Sequence, residues 1–425
     1  MYIILLFFIS TLIASTNIED AQALYDNKNY LAAKKIIESN SSESESYYYL
    51  CYMIYLKLDD LNKANSNLQS AISSSDDDTQ YDNEVDFLSE LINDLKNSNK
   101  TLTSGFVEEA ITEITDLTQK YKTNAIVFYR LGYAYAENDD YDNAIIHFRT
   151  AVELNPFKEE YKREIKNIAN IEISKGKEFY DIKEYQEALI HFNKALEYDP
   201  ENSGAMFRLG NIYFAIKDYV KASELLERGL TYQGNNYKVL YMLGRCYSAL
   251  NENDKAIDFY DKALSFNPEY IKAIIEKAKI FKAKGDLDIS KELLNEILVY
   301  GNSAKAYELL IDIETQSNNI DEAFEIGENA ISQNPDSYSL LARMSGLYNE
   351  KGNHEKAKSL SKRSLKIKRN YAPAAFELGI AELNMCNKLA AKEAFNIAKR
   401  DRNYRKAAGE YLKQENFEYY TKDCN

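Results

Sequence analysis

Three histidines, His147, His191 and His354, are the side chains of this 425-residue sequence best suited to bind a metal or to move a proton near neutral pH. His147 and His191 lie 44 residues apart, and neither has cysteines or clustered carboxylates around it at the spacing of metal ligands. The sequence therefore predicts no metal site, no catalytic histidine and no bound cofactor.

The glycines and serines also lack the neighbouring residues that phosphate binding or nucleophilic catalysis needs. Gly210 and Gly244 each stand as the single glycine of a Leu-Gly pair, whereas a phosphate-binding loop needs several glycines at short spacing. Serines are dense at 39–46 and 70–75, but no glycine elbow or partnered histidine accompanies them, so these stretches are predicted to be linkers. We expect neither enzymatic activity nor a small-molecule substrate.

The most informative pattern is a spacing of 34 residues. A set of eight positions begins at Phe128, and its internal spacings recur from Met206 and again from Leu240. Self-similarity at one period indicates a supersecondary unit that is stacked many times. The first set consists of Phe128, Leu131, Gly132, Tyr135, Ala144, Phe148, Ala151 and Pro156.

Each repeated position has a physical role in a pair of packed helices. The glycine at position 8, as in Gly132, lets the first helix approach the second, and the alanine at position 20, as in Ala144, does the same from the second helix. Proline near position 32, as in Pro156, ends the second helix because it lacks an N–H and clashes with the preceding turn. Two helices of this size cannot bury their apolar faces alone, so the pairs must stack.

This pattern resembles the tetratricopeptide repeat (TPR), a helix-turn-helix unit of 34 residues. The resemblance implies an all-α protein whose repeats stack into a right-handed superhelical solenoid. It also implies a non-enzymatic scaffold that binds an extended peptide or a partner protein in its concave groove.

Following the register divides the chain into four segments: a signal peptide at 1–15, degenerate and acidic repeat-like pairs at 16–124, eight repeats at 125–405, and a capping helix with a tail at 406–425. The glycine, alanine and proline signals of the first two strong repeats are displaced by 44 residues rather than 34. This difference locates a ten-residue insertion at 157–168, which we expect to lengthen a first helix because its apolar residues keep a helical period.

The amino-terminal residues predict export. Residues 2–13 are apolar apart from Ser10 and Thr11, and small residues follow before Glu19, the first charged position. This layout is typical of a secretory signal peptide, although no lysine or arginine precedes the apolar run. A bilayer-spanning helix needs about 20 apolar residues, and the run is shorter. We expect cleavage near residue 15 and an extracytoplasmic protein, either in a periplasm or secretory lumen or secreted. An uncleaved membrane tether is the alternative.

The four cysteines are spread along the repeat array. Cys51 and Cys246 lie in the first helices of different repeats, and separation along a stack is separation in space. Cys386 and Cys424 are the only pair near enough in the array to consider as a disulfide, with buried free thiols as the alternative.

Charge excludes one class of partner. The net charge is −15, and residues 16–124 hold 20 acidic and 9 basic residues, which accounts for −11 of it. Nucleic-acid binding needs a basic footprint, so it is not expected. No polybasic membrane patch is present either, which leaves an uncleaved amino-terminal segment as the only predicted membrane contact.

In the family that the chain resembles, positions 2, 5, 9 and 12 of the first helices line the concave groove. The first part of this set is aromatic here and the middle is basic, so we interpret it as a surface that binds an extended peptide and pairs with its acidic groups. Alternatively, the lysines solvate an exposed helix face and the aromatic side chains pack against neighbouring helices. The candidate residues are Tyr129, Tyr133, Lys177, Phe207, Asn211, Phe214, Lys238, Tyr241, Arg245, Lys272 and Lys279.

Two classes of function fit these observations. The first is an exported scaffold that binds a protein or peptide partner, an acidic one if the basic positions face it. The second is a co-chaperone-like protein of a lumen or periplasm that shields unfolded clients. A carbohydrate-processing enzyme built from helical hairpins would need paired carboxylates in a cleft, and it would leave the 34-residue packing signals unexplained.

Overall fold

The computed structural model describes residues 18–77, 79–413 and 417–418, and these ranges consist of helices joined by short connections, with no strand. The predicted all-α class is therefore confirmed. The predicted signal peptide at 1–15 and Cys424 lie outside the described residues, so cleavage and the pairing of Cys386 with Cys424 stay predictions.

The helices are numbered in chain order. They are α1 (18–26), α2 (Tyr30–Ser39), α3 (Glu45–Lys57), α4 (Leu61–Ser73), α5 (Asp82–Thr103), α6 (Val107–Lys120), α7 (Ala125–Glu137), α8 (Tyr141–Leu154), α9 (Glu159–Asp181), α10 (Tyr185–Tyr198), α11 (Ser203–Ala215), α12 (Tyr219–Gln233), α13 (Tyr237–Ala249), α14 (Asn253–Phe266), α15 (Ile271–Lys284), α16 (Leu287–Tyr300), α17 (Ala304–Gln316), α18 (Ile320–Gln333), α19 (Tyr338–Glu350), α20 (His354–Ile367), α21 (Ala372–Asn384), α22 (Lys388–Ala398) and α23 (Arg405–Leu412).

The chain divides into two compact units, here called the N-terminal unit, up to Arg208, and the C-terminal unit, from Leu209. In the N-terminal unit consecutive helices pack against each other, from α2 on α3 through to α9 on α10. In the C-terminal unit the same holds from α12 to α23, and the first helices α13, α15, α17, α19 and α21 also contact one another in sequence. Within each unit the helices are therefore stacked as consecutive pairs.

A left-handed residue occurs in every turn between the first and second helix of a pair, with φ between 54° and 88°. After α7, for example, the Asp139 N–H donates to the Ala136 carbonyl at 3.1 Å and the Asp140 N–H to the Tyr135 carbonyl at 3.0 Å. This pattern ends a helix and reverses the chain in very few residues. The left-handed residues are Lys28, Asp59, Gly105, Asp139, Lys183, Lys217, Asn251, Gly285, Asn318, Gly352 and Cys386.

Close approach of the paired helices explains the glycine at position 8. A Cβ atom on Gly132 would lie 2.8 Å from the Phe148 ring and 3.0 Å from the Ala144 carbonyl, and one on Gly244 would lie 2.4 Å from the Tyr260 ring. All three distances are shorter than van der Waals contact allows. The alanine facing this glycine, as in Ala144, is fully buried.

The helix that follows the first strong repeat is unusually long. α9 has 23 residues, whereas α7 has 13. Its first turns place Tyr161 in a buried position, where the ring stacks on Tyr129 at 4.7 Å and the hydroxyl donates to Asp59 at 3.0 Å. The added residues therefore bring the start of α9 against the α3–α4 turn.

No described helix combines the length and the apolar character that crossing a membrane requires. Cys51 and Cys246 are free thiols in buried positions, in agreement with their placement in the first helices α3 and α13.

Candidate functional site

The predicted groove residues of the N-terminal unit have different surroundings. Tyr129 is half-buried, and besides stacking on Tyr161 its hydroxyl donates to Glu160 at 3.1 Å, so its ring is part of the helix packing. Tyr133 is exposed (38 %), as is Lys177, while Phe207 is half-buried. In this unit the Tyr129 ring packs between helices, whereas the Tyr133 and Lys177 side chains are accessible to solvent.

In the C-terminal unit, the structure brings three predicted residues together. The Arg245 guanidinium lies over the Phe214 ring at 4.3 Å and 5.9 Å from the centre of the Tyr241 ring. Tyr241 in turn meets Tyr270 edge-on at 5.2 Å. Stacking on a ring face holds the planar guanidinium in one orientation. The Arg245 Nη1 donates to the Met242 sulfur at 3.8 Å, and the guanidinium has further N–H groups that can donate to a partner.

The basic residues around this cluster differ in their pairing. Among the described residues, no carboxylate lies within ion-pair distance of Arg245, Lys238 or Lys272, and the two lysines are exposed. Lys279 instead pairs with Glu276 at 2.7 Å. Asn211, the remaining polar residue of the predicted groove, is half-buried. We call Lys238, Arg245 and Lys272 the basic patch of α13 and α15.

A cavity of about 490 Å³ is lined by the first helices α15, α17, α19 and α21 of the C-terminal unit. Its lining includes positions 2, 5, 9 and 12 of the repeats, as in Asp312 and Gly346, and also position 6, as in Arg343 and Glu377. Its polar lining residues are Lys282, Asp312, Thr315, Gln316, Ser339, Arg343, Glu350, Tyr371, Glu377 and Tyr404.

Two carboxylates that line this cavity differ in their partners. The Asp312 carboxylate is contacted by the Arg343 guanidinium, and the Lys282 ammonium lies 3.9 Å from it. The Glu377 carboxylate accepts a hydrogen bond from the Asn349 side-chain amide at 3.0 Å. Burial raises the pKa of the Glu377 carboxyl, and the neighbouring Glu350 raises it further.

Two of the three histidines, His147 and His191, pack against aromatic rings. His147 stacks on Tyr135 and His191 on Phe179, both at 5.4 Å, as Phe259 stacks on Tyr247 at 5.3 Å in the C-terminal unit. Histidine thus replaces phenylalanine at one position of the repeat. The described residues contain no group of histidine, cysteine and acidic side chains that could hold a metal ion.

Comparison with family models identifies the repeat. Residues 125–158, which form α7 and α8, match the model described as "Tetratricopeptide repeat". The chain is a tetratricopeptide-repeat protein. Residues 181–263 of this TPR protein also match the model described as "Anaphase-promoting complex, cyclosome, subunit 3". No curated protein matches it.

Solved structures with a similar fold include other TPR proteins. A tetratricopeptide repeat protein from Parabacteroides merdae is 21 % identical, with 58 % of this chain and 97 % of that chain covered and a TM-score of 0.47. Yeast Tom70 is 16 % identical, with 97 % and 99 % covered and a TM-score of 0.47. PilW, a type IV pilus biogenesis factor, is 19 % identical, with 50 % and 96 % covered and a TM-score of 0.41.

Sequence reasoning missed most of the cavity of this TPR protein. Extending the groove positions into the repeat at 338–371 would have found Ser339, Ala342 and Gly346. Glu377 would still have been missed, because it occupies position 6 of the next repeat. Nothing in the sequence marks it as a glutamate that lines a cavity without a cationic partner among the described residues.

Proposed function

We propose that this TPR protein is an exported, non-enzymatic scaffold that binds an extended, acidic segment of a partner protein along the first helices of its C-terminal unit. TPR proteins are generally non-enzymatic scaffolds that bind other proteins. The observation that carries the proposal is Arg245, whose guanidinium lies on the Phe214 ring without a carboxylate partner among the described residues.

The chemistry of the basic patch favours acidic side chains. Arg245 donates from a fixed plane, which suits a bidentate contact with a carboxylate, and Lys238 and Lys272 add two mobile charges on adjacent first helices. Phe214 and Tyr241 offer half-buried aromatic surface beside these charges. Apolar contact at the centre with charges around it is the usual composition of a protein interface.

Binding of short synthetic peptides tests the proposal. Peptides that carry acidic and aromatic residues are compared with the same peptides in which glutamine replaces each acidic residue. The purified chain should prefer the acidic set, and Arg245→Glu with Lys272→Glu should weaken binding at least about tenfold in fluorescence anisotropy, because two attractions become repulsions.

The matched control reverses Lys255 and Lys262 to glutamate, which changes the net charge equally on α14, a second helix. Equal affinity of the groove variant and this control would contradict the proposal. Tight binding of unfolded proteins without preference for acidic segments would favour the client-shielding alternative.

Export is tested separately, by sequencing the amino terminus of the protein purified from its own cells. A mature chain that begins near residue 16 supports export. Retention of Met1 with the protein in the cytoplasm would contradict it.

A further inference from the structure

The cavity lined by α15, α17, α19 and α21 contains the Glu377 carboxylate, which no lysine, arginine or histidine of the described residues neutralises. Within the described residues, Glu377 has one side-chain hydrogen-bond donor, the Asn349 amide at 3.0 Å, and no lysine, arginine or histidine within ion-pair distance. A carboxylate removed from water normally needs a cation or several donors. The position is therefore incompletely satisfied in the free protein.

Space beside Glu377 comes from two small residues of α19. Ala342 and Gly346 line the cavity at positions 5 and 9 of their repeat, where longer side chains stand in other repeats, such as Tyr129 and Tyr133. A Cβ atom on Gly346 would already lie 3.4 Å from the Glu377 carboxyl carbon. Because these residues are small, the carboxylate faces open volume.

The two cations that line the same cavity lie against a different carboxylate, that of Asp312. Arg343 contacts Asp312, and Lys282 approaches the same carboxylate from α15 at 3.9 Å. The other charged side chains that line the cavity are Glu377 and Glu350, and the rings of Tyr371 and Tyr404 line it as well. An acidic, partly aromatic and roomy site suits an ammonium or guanidinium group.

We propose that this cavity takes a lysine or arginine side chain of the bound segment, which pairs with Glu377 and lies against Tyr371 and Tyr404. This inference rests on the proposed function and deepens it. The segment would carry acidic residues where it crosses the basic patch of α13 and α15, and a basic residue where it reaches α21. The order of charges along the partner would then fix the direction in which it binds.

A positional-scanning library of synthetic peptides tests the inference on the full purified chain. Each peptide keeps the acidic residues, and each further position is varied among arginine, lysine, norleucine and glutamate. One position should favour arginine or lysine over norleucine by about tenfold, since norleucine keeps the length of lysine and loses the charge.

Two variants assign the preference to the cavity. Glu377→Gln removes the charge and keeps the shape of the side chain. Gly346→Leu retains the Glu377 carboxylate and fills the open volume beside it. Both should abolish the preference for a basic residue and retain binding of the acidic peptides. Glu355→Gln, an exposed change of equal charge on α20, should leave the preference intact.

The outcomes separate this inference from the proposed function. Binding of acidic peptides without a basic preference, or a preference that survives in Glu377→Gln, would overturn the cationic pocket and leave the proposed scaffold standing. If no peptide of either library binds the wild-type chain, the proposed function fails and the pocket fails with it.

Discussion

The two units of this protein differ in how far apart in the sequence their hydrogen-bonded side chains lie. In the N-terminal unit, Asp59 accepts hydrogen bonds from the Asn155 amide at 2.6 Å and the Tyr161 hydroxyl at 3.0 Å, across 96 and 102 residues. In the C-terminal unit, side-chain hydrogen bonds link neighbouring repeats, as between Asn334 and Asn302, 32 residues apart. Stacks of the same repeat can thus be joined by hydrogen bonds between distant repeats or by hydrogen bonds between neighbouring repeats.

This difference has consequences for how each unit opens. A stack in which repeats contact only their neighbours gains stability one interface at a time and can lose its last repeat without losing the others. A buried polar contact between distant repeats couples their opening. We therefore expect the C-terminal unit to open from its end and the N-terminal unit to open more cooperatively.

The largest effect is expected from removing the aromatic side chain that fills the space between paired helices. Phe148 and Phe395 are buried at the same repeat position, one in each unit, and truncation of either to alanine should cost about 3–5 kcal/mol. In Phe395→Ala, hydrogen exchange should accelerate in α21–α23 and leave α13–α16 protected. In Phe148→Ala, it should accelerate together from α3 to α9.

Hydrogen exchange read by mass spectrometry resolves these helices in the full chain. If Phe395→Ala exposes α13–α16 as strongly as α21–α23, then the nearest-neighbour description of the C-terminal unit is wrong. If Phe148→Ala leaves α3 and α4 unchanged, the distant contact does not couple the N-terminal repeats.

A smaller effect is expected from the contact at Asp59 itself. Asp59→Ala leaves two buried donors without an acceptor, which should cost about 2–4 kcal/mol in the N-terminal unit. Asp139→Ala is the matched control, because Asp139 has the same left-handed backbone (φ 56° against 54°) and an exposed side chain. It should cost about 1 kcal/mol, the penalty of alanine in that backbone region.

Urea unfolding of both variants, followed by exchange in α3–α4 and α8–α9, measures the difference. Equal losses in the two variants would mean that the backbone conformation, and not the buried carboxylate, accounts for the cost at Asp59.

The sequence predicted the packing that recurs in the repeats better than the contacts that occur only once. Gly132, Ala144 and Phe148 identify the helix pair because their sizes must fit one another, and the arithmetic of the insertion places extra residues where α9 is long. Asp59 was not singled out, since one aspartate in a turn looks like any other until a distant residue covers it. Glu377 was missed for the same reason: its environment depends on Ala342 and Gly346, one repeat earlier.

The contact at Asp59 also predicts a pH dependence. Burial raises the pKa of the Asp59 carboxyl above its ordinary value of 3.8, so the folded N-terminal unit holds this proton more tightly than the unfolded chain does. The associated stability is present below pH 3.8 and is lost as pH rises through the higher pKa of the folded state. Relative to Asp59→Asn, the wild-type unit should therefore lose stability from about pH 4 toward neutrality.

The pH series uses urea unfolding of both proteins, with exchange in α13–α20 as an internal reference. A constant difference between wild type and Asp59→Asn across this range would show that the carboxyl does not change its protonation on folding.

The smallest effect concerns the hydroxyl that distinguishes Tyr260 from its counterparts Phe148, Phe192 and Phe395. The Tyr260 hydroxyl oxygen is buried and has no hydrogen-bond partner among the described residues. Tyr260→Phe should therefore stabilise the C-terminal unit by about 1 kcal/mol, because a buried unpaired hydroxyl is removed without loss of packing. The reciprocal change Phe148→Tyr should destabilise the N-terminal unit, since Phe148 is 1 % exposed and a hydroxyl there would also be buried. Thermal unfolding of the two variants measures both changes in stability. A loss of stability in Tyr260→Phe would contradict the prediction and show that the hydroxyl makes a favourable contact in solution.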